Sequence, residues 1–275
     1  MSMGTKIRLA RVFSHPSRRL FSVAVDHFVG YPRTMTDGLR DLPRTIAAVV
    51  QAGPDAVTMT EGAAKNCWAP YAGKVALIVQ MGCFTPDDRV LEVLGSVPGV
   101  VRLGADAVAM AIGVRGPREG EYLRLLSGTV TEAERYGMPV IAHIYARSYK
   151  AEPIIVSDAE SIAWAVRCGI ECGADVIKVI YPGDPVAFRE IVESCPVPVV
   201  VAGGPRTETF LEALEQVSVV LSCGASGLTV GRNVWGPNVD AVTAVSAYKH
   251  VVHDGLSPEQ AIRLSEDEAN DKLKV

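Results

Sequence analysis

The segment "GADVIKVIYPGDP" (residues 173–185) places a lysine in the middle of an apolar run. The run is rich in Val and Ile, which favour β-strands, and glycine or proline bounds it on both sides. Such a strand is expected to be buried, yet lysine is almost never fully buried without a partner. The segment therefore predicts either a chain that turns Lys178 towards solvent or a site that requires an amine shielded from water.

Seven further short runs have the same character. They are mostly continuous rather than alternating, as expected for parallel strands covered on both faces. The runs are "LFSVAVD" (20–26), "DAVTM" (55–59), "VALIVQ" (75–80), "ADAVAM" (105–110), "PVIAHI" (139–144), "VPVVVA" (197–202) and "GLTVG" (227–231).

Helical patterns lie between several of these runs. Pro43 suits the first turn of one helix and Gly53 its end. In another, Ser157 and Glu160 have the spacing of a capping box, which predicts Ser157 as the N-cap. The patterns cover residues 41–53, 157–173, 204–217 and 238–255, the last closed by Gly255.

Eight strand candidates with intervening helices predict an α/β fold, a (β/α)8 barrel. A doubly wound open sheet is the alternative, because both folds are built from βαβ units. The barrel is favoured because no G-x-G-x-x-G follows the first strand, and because glycines and polar residues cluster after the last strands. Two long connections, 61–74 and 111–122, are then expected on the C-terminal face, where barrel enzymes place their sites.

Composition limits the classes of function. The chain has 275 residues, 48% of them hydrophobic and 21% charged, with a formal net charge of -4. These values argue against nucleic acid or an anionic membrane as the main partner. The six cysteines form no C-x-x-C and the five histidines are dispersed, so no zinc spacing appears. Unpaired-looking cysteines in a chain of this length favour a reducing compartment, and a cytoplasmic location is the default expectation.

The N-terminal stretch "TKIRLARVFSHPSRR" (5–19) is basic and lacks acidic residues. This composition faintly resembles a transit peptide. The simpler interpretation is a short solvated helix that leads to the first strand. We therefore expect a single domain over residues 1–275, with residues 1–19 as an N-terminal extension.

In a barrel, alternate residues of a strand face the lumen. Lys178 then shares its face with Val176 and Ile180. A desolvated amine has a lowered pKa, and a neutral amine attacks carbonyl groups to form a Schiff base. The alternative is a lysine held in a salt bridge at the barrel mouth.

Three further side chains are expected near the amine. Asp26 closes the first strand and His27 follows it, so both point towards the site on the C-terminal face. Tyr145 lies just past the fifth strand, and a phenol transfers protons in carbon–carbon bond cleavage. Asp26 alone also fits a turn residue, and Tyr145 alone fits an amphipathic residue at the rim.

Two glycine-containing turns follow the last two strands. Gly203 and Gly204 come after the seventh strand and just before a predicted helix, and Gly231 and Arg232 come after the eighth. Barrels commonly bind phosphate in these two loops, through backbone N–H groups and helix N-termini. Arg232 adds the prospect of charge-assisted hydrogen bonds.

Three segments closely resemble the archaeal-type class I fructose-bisphosphate aldolases. They are "GADVIKVIYPGDP", "VVVAGGPRT" (199–207) and "ASGLTVGRNVWG" (225–236). That family belongs to the Schiff-base aldolases that include deoxyribose-phosphate and tagatose-bisphosphate aldolases. The resemblance implies that Lys178 is the Schiff-base lysine, Tyr145 the general acid/base and Asp26 the carboxylate at the first strand. It also matches Gly203, Gly204, Gly231 and Arg232 to the phosphate-binding turns.

The sequence departs from the family at the pocket. His143 stands where the aldolases have Trp, Ala146 replaces a proline, Ala202 replaces a serine, and Phe28 replaces a glycine. His143 and Tyr145 face the same side of their strand. Either His143 binds a hydroxyl or carbonyl of the substrate, or it pairs with Asp26 or another wall residue.

Three functions remain open. The first is a metal-independent class I aldolase that forms or cleaves a phosphorylated ketose such as fructose 1,6-bisphosphate, giving dihydroxyacetone phosphate and an aldehyde. The second is a transaldol or acyl-transfer enzyme on the same scaffold, resembling synthases of an amino-sugar precursor or enzymes of quorum-signal breakdown. The third is a sugar-phosphate-binding barrel without turnover. No cofactor or metal is expected, since an imine supplies the electron sink. The resemblance implies a homo-oligomer, a pentamer or decamer.

Overall fold

The computed structural model describes residues 1–27, 37–85, 91–236 and 239–272. Within these ranges the strands are β1 (Leu20–Ala24), β2 (Ala56–Thr60), β3 (Ala76–Gln80), β4 (Gly82–Phe84), β5 (Leu91–Val93), β6 (Ala107–Val114), β7 (Val140–Ser148), β8 (Ile154–Ile155), β9 (Val176–Val179), β10 (Val199–Ala202) and β11 (Gly227–Val230). The α-helices are α1 (Met3–Val12), α2 (Leu42–Ala52), α3 (Glu61–Cys67), α4 (Val97–Arg102), α5 (Glu119–Glu134), α6 (Ala159–Glu171), α7 (Pro185–Glu193), α8 (Phe210–Ser222), α9 (Arg232–Trp235), α10 (Ala241–Lys249) and α11 (Pro258–Lys272).

Eight parallel strands close into a barrel in the order β1, β2, β3, β6, β7, β9, β10, β11 and back to β1. Each of the eight predicted apolar runs overlaps one of these strands, and helices lie between them. The pairing of β6 with β7 closes the sheet, so the (β/α)8 barrel is confirmed and the open doubly wound sheet is excluded.

Three short strands lie outside the barrel and were not predicted. β4 and β5 pair antiparallel, and β8 pairs antiparallel with the end of β7. Two barrel strands also continue past their predicted ends, β6 to Val114 and β7 to Ser148. The site face therefore carries more strand structure than the apolar runs alone indicate.

The helix ends agree with most of the predicted signals. Asp41 caps α2, and Gly53 ends it in the left-handed conformation at φ 68°. Gly255 likewise follows the π-helical turn (His250–Asp254) that continues α10. The prediction of Ser157 as an N-cap is wrong by one residue, because the Asp158 carboxylate accepts the Ser161 N–H instead.

The core consists of two apolar clusters separated by the barrel wall. Ile177 and Val179 belong to the outer cluster between strands and helices, whereas Val176 belongs to the lumenal cluster. Lys178 alternates with them and is only 7% exposed. The predicted orientation of the lysine towards the lumen is therefore confirmed.

The N-terminal helix α1 contributes to the lumenal cluster at the lower end of the barrel. Val12 is fully buried there, and Leu9 and Phe13 pack against the same cluster. Arg11 also pairs with Asp106 at 3.3 Å. The expectation of a solvated helix is wrong for this face of α1. Its apolar side chains close the lower end of the barrel and are removed from contact with water.

Within the described part of the chain, no helix is both long and apolar enough to span a lipid bilayer. The cytoplasmic location and the domain boundaries stay predictions.

Candidate active site

Lys178 lies in the lumen between two neighbouring strands. Its register partners are His143 on β7 and Val200 on β10. Among the described residues, no carboxylate lies within ion-pair distance of its Nζ, so the alternative of a salt-bridged lysine finds no partner there. Burial lowers the pKa of Lys178 to about 8, and the charge of Asp26 opposes this shift. About a tenth of the amine is therefore neutral at pH 7 and about half at pH 8.

Asp26 and His27 extend past the end of β1 into the site. The Nδ1 of His27 lies 3.4 Å from Asp26 Oδ1. Burial lowers the pKa of His27 despite the opposing charge of Asp26, and the charges of Lys178 and Arg232 lower it further. His27 is therefore a neutral ring near pH 7, packed edge-on against Trp235.

Two chambers meet at Lys178. A larger one of about 300 Å³ reaches the turns after β10 and β11 and includes Gly203, Gly204, Gly231 and Arg232 in its wall. A smaller one of about 60 Å³ is lined by Asp26, Gln80, His143 and other residues. His27, Tyr145 and Lys178 line both chambers. A substrate carbon at the amine therefore has room for substituents on two sides.

The two predicted phosphate turns are tied to each other. The Arg232 guanidinium donates to the Gly204 carbonyl at 2.7 Å, and Gly204 adopts φ 66°. The Gly203 N–H donates to the Thr229 carbonyl at 2.9 Å, so this group is not available to an anion. Gly231 leaves room for His27, whose ring would lie 2.5 Å from an added Cβ.

The predicted helix directly after Gly204 is displaced along the chain. α8 begins only at Phe210, where Thr209 and Glu212 form a capping box. The helix therefore starts six residues after Gly204, and the charged or polar groups that the two turns bring to the larger chamber are loop backbone and Arg232.

Comparisons with known proteins identify the family of the chain. Residues 20–236, which include every predicted site residue, match the model of the DeoC/LacD family aldolases. The chain belongs to this family. The protein is thus an aldolase with a (β/α)8 barrel.

Several relatives of this aldolase are similar over most of its length. It is 35% identical to a 2-amino-3,7-dideoxy-D-threo-hept-6-ulosonate synthase of Halobacterium salinarum, over 94% of the chain and 95% of the relative. It is 30% identical to a 2-amino-4,5-dihydroxy-6-oxo-7-(phosphonooxy)heptanoate synthase of Streptomyces griseus, over 83% of each. An archaeal fructose-1,6-bisphosphate aldolase, solved with its catalytic Lys bound to a carbinolamine intermediate, superposes with a TM-score of 0.80 at 30% identity, over 90% of the chain and 99% of that structure.

Sequence reasoning missed three polar residues of this aldolase. Gln80 at the end of β3 lines the smaller chamber and contacts His143. Arg147, two residues after Tyr145, is buried and donates to the hydroxyls of Tyr122 and Tyr149, both at 3.1 Å. Asn233 joins the two turns, since its Nδ2 donates to the Pro205 carbonyl at 3.2 Å. The side-chain types gave no signal, because glutamine, arginine and asparagine at strand or loop ends are common on protein surfaces.

Proposed function

We propose that Lys178 forms an imine with the ketone of a phosphorylated substrate and that the aldolase makes or breaks the bond between the α- and β-carbons of that ketone. The observation that carries this proposal is a buried amine, with a pKa of about 8, at the junction of two chambers. The neutral amine adds to the carbonyl carbon, and loss of water gives the imine. The protonated imine then accepts the electron pair of the breaking bond, and an aldehyde leaves. The resulting enamine is protonated on carbon, and water hydrolyses the imine, which releases the ketone and restores the Lys178 amine.

Tyr145 and Asp26 are proposed to move the protons of this reaction. Tyr145 lines both chambers, as Lys178 does, so its side chain borders the space on both sides of the amine. We assign it the proton exchange with the hydroxyl that becomes the aldehyde. Asp26 supports the protonated imine by its charge, which favours the cationic form of Lys178.

The phosphate is proposed to bind in the larger chamber. Arg232 supplies a positive charge there, and its bond to Gly204 holds the two turns together. The carbonyl carbon then lies at Lys178 and the rest of the substrate extends into the smaller chamber.

Borohydride reduction tests the imine. We expect dihydroxyacetone phosphate plus borohydride to fix a stable adduct on Lys178 and to abolish activity, whereas Lys178→Met folds but takes no label. Tyr145→Phe should keep the adduct and slow cleavage by about 10²–10⁴-fold. Label on another residue, or continued turnover without label, contradicts the proposal.

The aldehyde partner distinguishes two candidate reactions. Cleavage of fructose 1,6-bisphosphate is one. The other is favoured by the Streptomyces griseus synthase to which the chain is similar, because the name of that relative includes a phosphate on C7 next to the ketone. A 4,5-dihydroxy-6-oxo-7-phosphonooxy chain is a β-hydroxy ketone, and cleavage between C4 and C5 gives dihydroxyacetone phosphate and a four-carbon amino-acid aldehyde. The polar wall of Gln80 and His143 in place of an indole favours this second reaction.

Parallel assays of the two aldehydes decide between these reactions. With dihydroxyacetone phosphate as donor, we expect faster bond formation with the four-carbon amino-acid aldehyde than with glyceraldehyde 3-phosphate. His143→Trp, which introduces the indole of the fructose-bisphosphate aldolases, should shift the ranking towards glyceraldehyde 3-phosphate. A wild-type preference for glyceraldehyde 3-phosphate that His143→Trp leaves unchanged favours the first reaction.

The homo-oligomer stays a prediction.

A further inference from the structure

Gln80 is a buried amide whose orientation is fixed by the backbone around it. Its Oε1 accepts the N–H of Gly82 at 3.3 Å and the N–H of Ala111 at 3.1 Å. Backbone N–H groups only donate, so the atom facing them must be the carbonyl oxygen of the amide. The Nε2 of Gln80 therefore points the other way, towards His143.

The amide in turn fixes the proton on the His143 ring. Gln80 Nε2 lies 2.9 Å from His143 Nδ1, and an amide nitrogen can only donate. Nδ1 is thus the acceptor, and in the neutral ring the proton lies on Nε2. Burial lowers the pKa of His143 well below its ordinary value, and the charges of Lys178 and His27 act in the same direction. The ring is therefore neutral under working conditions.

The ring that carries the remaining nitrogen lies in the wall of the place where chemistry is proposed. His143 is 2% exposed, is the register partner of Lys178, and lines the smaller chamber. Among the described residues, none accepts a hydrogen bond from His143 Nε2. A substrate that fills the smaller chamber displaces solvent from it, and a donor buried without an acceptor is costly, so an acceptor is expected on the bound substrate.

We infer that Gln80 holds His143 as an uncharged Nε2–H donor to the oxygen on the substrate carbon next to the imine carbon, on the side away from the phosphate. This inference rests on the proposed function. With the carbonyl carbon at Lys178 and the phosphate in the larger chamber, the other substituent of the ketone enters the smaller chamber beside His143. The pair thereby selects phosphorylated ketones that carry a hydroxyl at this carbon. Gln80 is a positioning residue, since it acts only through His143.

The ring proton can be observed without substrate. In protein labelled with ¹⁵N-histidine, long-range ¹H–¹⁵N spectra separate protonated from unprotonated ring nitrogens, and comparison with His143→Phe assigns the signal. We expect an Nε2–H form of His143 that stays constant between about pH 6 and 9. An Nδ1–H form, or a ring that becomes charged in this range, overturns the inference and leaves the imine proposal intact.

The substrate contact is tested with two probes that differ by one hydroxyl. Dihydroxyacetone phosphate carries this hydroxyl and hydroxyacetone phosphate does not. For each probe, the concentration that gives half-maximal borohydride labelling of Lys178 is measured. We expect wild type to need about 10–100-fold less dihydroxyacetone phosphate than hydroxyacetone phosphate, because one buried donor stays unpaired with the second probe. His143→Phe should abolish this preference, and His143→Gln, which places an amide donor in the same direction, should restore part of it.

Gln80→Glu separates positioning from packing. The introduced carboxylate accepts at both oxygens, so it favours a proton on Nδ1 and, in the neutral ring, removes it from Nε2. We expect the preference for the hydroxylated probe to disappear at high pH and to return at low pH, where both nitrogens are protonated. Preference that survives in His143→Phe, or that does not vary with pH in Gln80→Glu, overturns the inference. Absence of label in wild type with both probes refutes the proposed function itself.

Discussion

Lys178 carries a cost in stability that is the counterpart of its proposed reactivity. The pKa of Lys178 is about 8 in the folded state against 10.5 for an unburied lysine. Below pH 8 the amine is charged in both states, so the folded state bears the full cost of a buried charge, about 3 kcal/mol. Between pH 8 and 10.5 the unfolded chain binds more protons, and this cost disappears as the pH rises.

We therefore expect Lys178→Met to raise the free energy of unfolding at pH 7, by up to about 3 kcal/mol, and to give little gain near pH 10.5. The exposed Lys150 supplies the control, since Lys150→Met should change stability by less than about 0.5 kcal/mol. Urea unfolding at both pH values measures the difference. A Lys178→Met variant less stable than wild type at pH 7 would contradict the assigned cost.

For wild type, kcat/KM should rise about tenfold per pH unit below pH 8 and level off above it.

At the scale of elements, the two turns after β10 and β11 act together. Arg232 and Gly204 join them by a hydrogen bond, and both line the larger chamber. Arg232→Met keeps much of the side-chain length and removes the charge. We expect it to weaken labelling by dihydroxyacetone phosphate by about 10–100-fold, the worth of a charge-assisted contact, and to leave labelling by hydroxyacetone, which has no phosphate, nearly unchanged.

Arg206 provides a matched control in the same pair of loops. It lines a small cavity that Arg232 also borders, but it does not line the larger chamber, so Arg206→Met should change labelling by neither probe. If Arg232→Met weakens labelling by both probes equally, the arginine only maintains the loops, and the assignment of Arg232 to phosphate binding is wrong.

The elements also show what sequence patterns can and cannot predict. The barrel strands are readable because each is a continuous apolar run covered on both faces, and Lys178 stands out because it breaks such a run. Gln80 could not be identified this way. Its orientation depends on the N–H of Ala111, which is 31 residues away and becomes a neighbour only when β3 pairs with β6. The cap at Asp158 rather than Ser157 is a smaller case, because adjacent residues with similar side chains compete for the same N–H groups.

For the whole molecule, the barrel is asymmetric along its axis. The upper lumen contains polar side chains such as Gln80, His143 and Lys178, whereas the lower lumen is apolar. Small residues there, including Ala56 and Ala107, leave space that α1 fills from below. The N-terminal helix therefore packs into the lumenal cluster directly below Lys178. Val176, two residues before Lys178, belongs to this cluster together with Val12.

This integration is tested at Val12, which is fully buried, against Ile7, which is 49% exposed on the same helix. We expect Val12→Ala to lower the free energy of unfolding by about 2 kcal/mol, because two buried methyl groups are lost and the cavity collapses only partly. Ile7→Ala should change it by about 0.5 kcal/mol or less. Denaturant unfolding is followed with one spectroscopic probe in the β-sheet and another in α1, and coincident curves would show that the two elements unfold in one transition. Equal stability of the two variants, or an earlier transition for α1 alone, would mean that the helix is a detachable extension. Because Val12 lies at the opposite end of the barrel from the chambers, kcat at low denaturant should be the same in wild type and both variants.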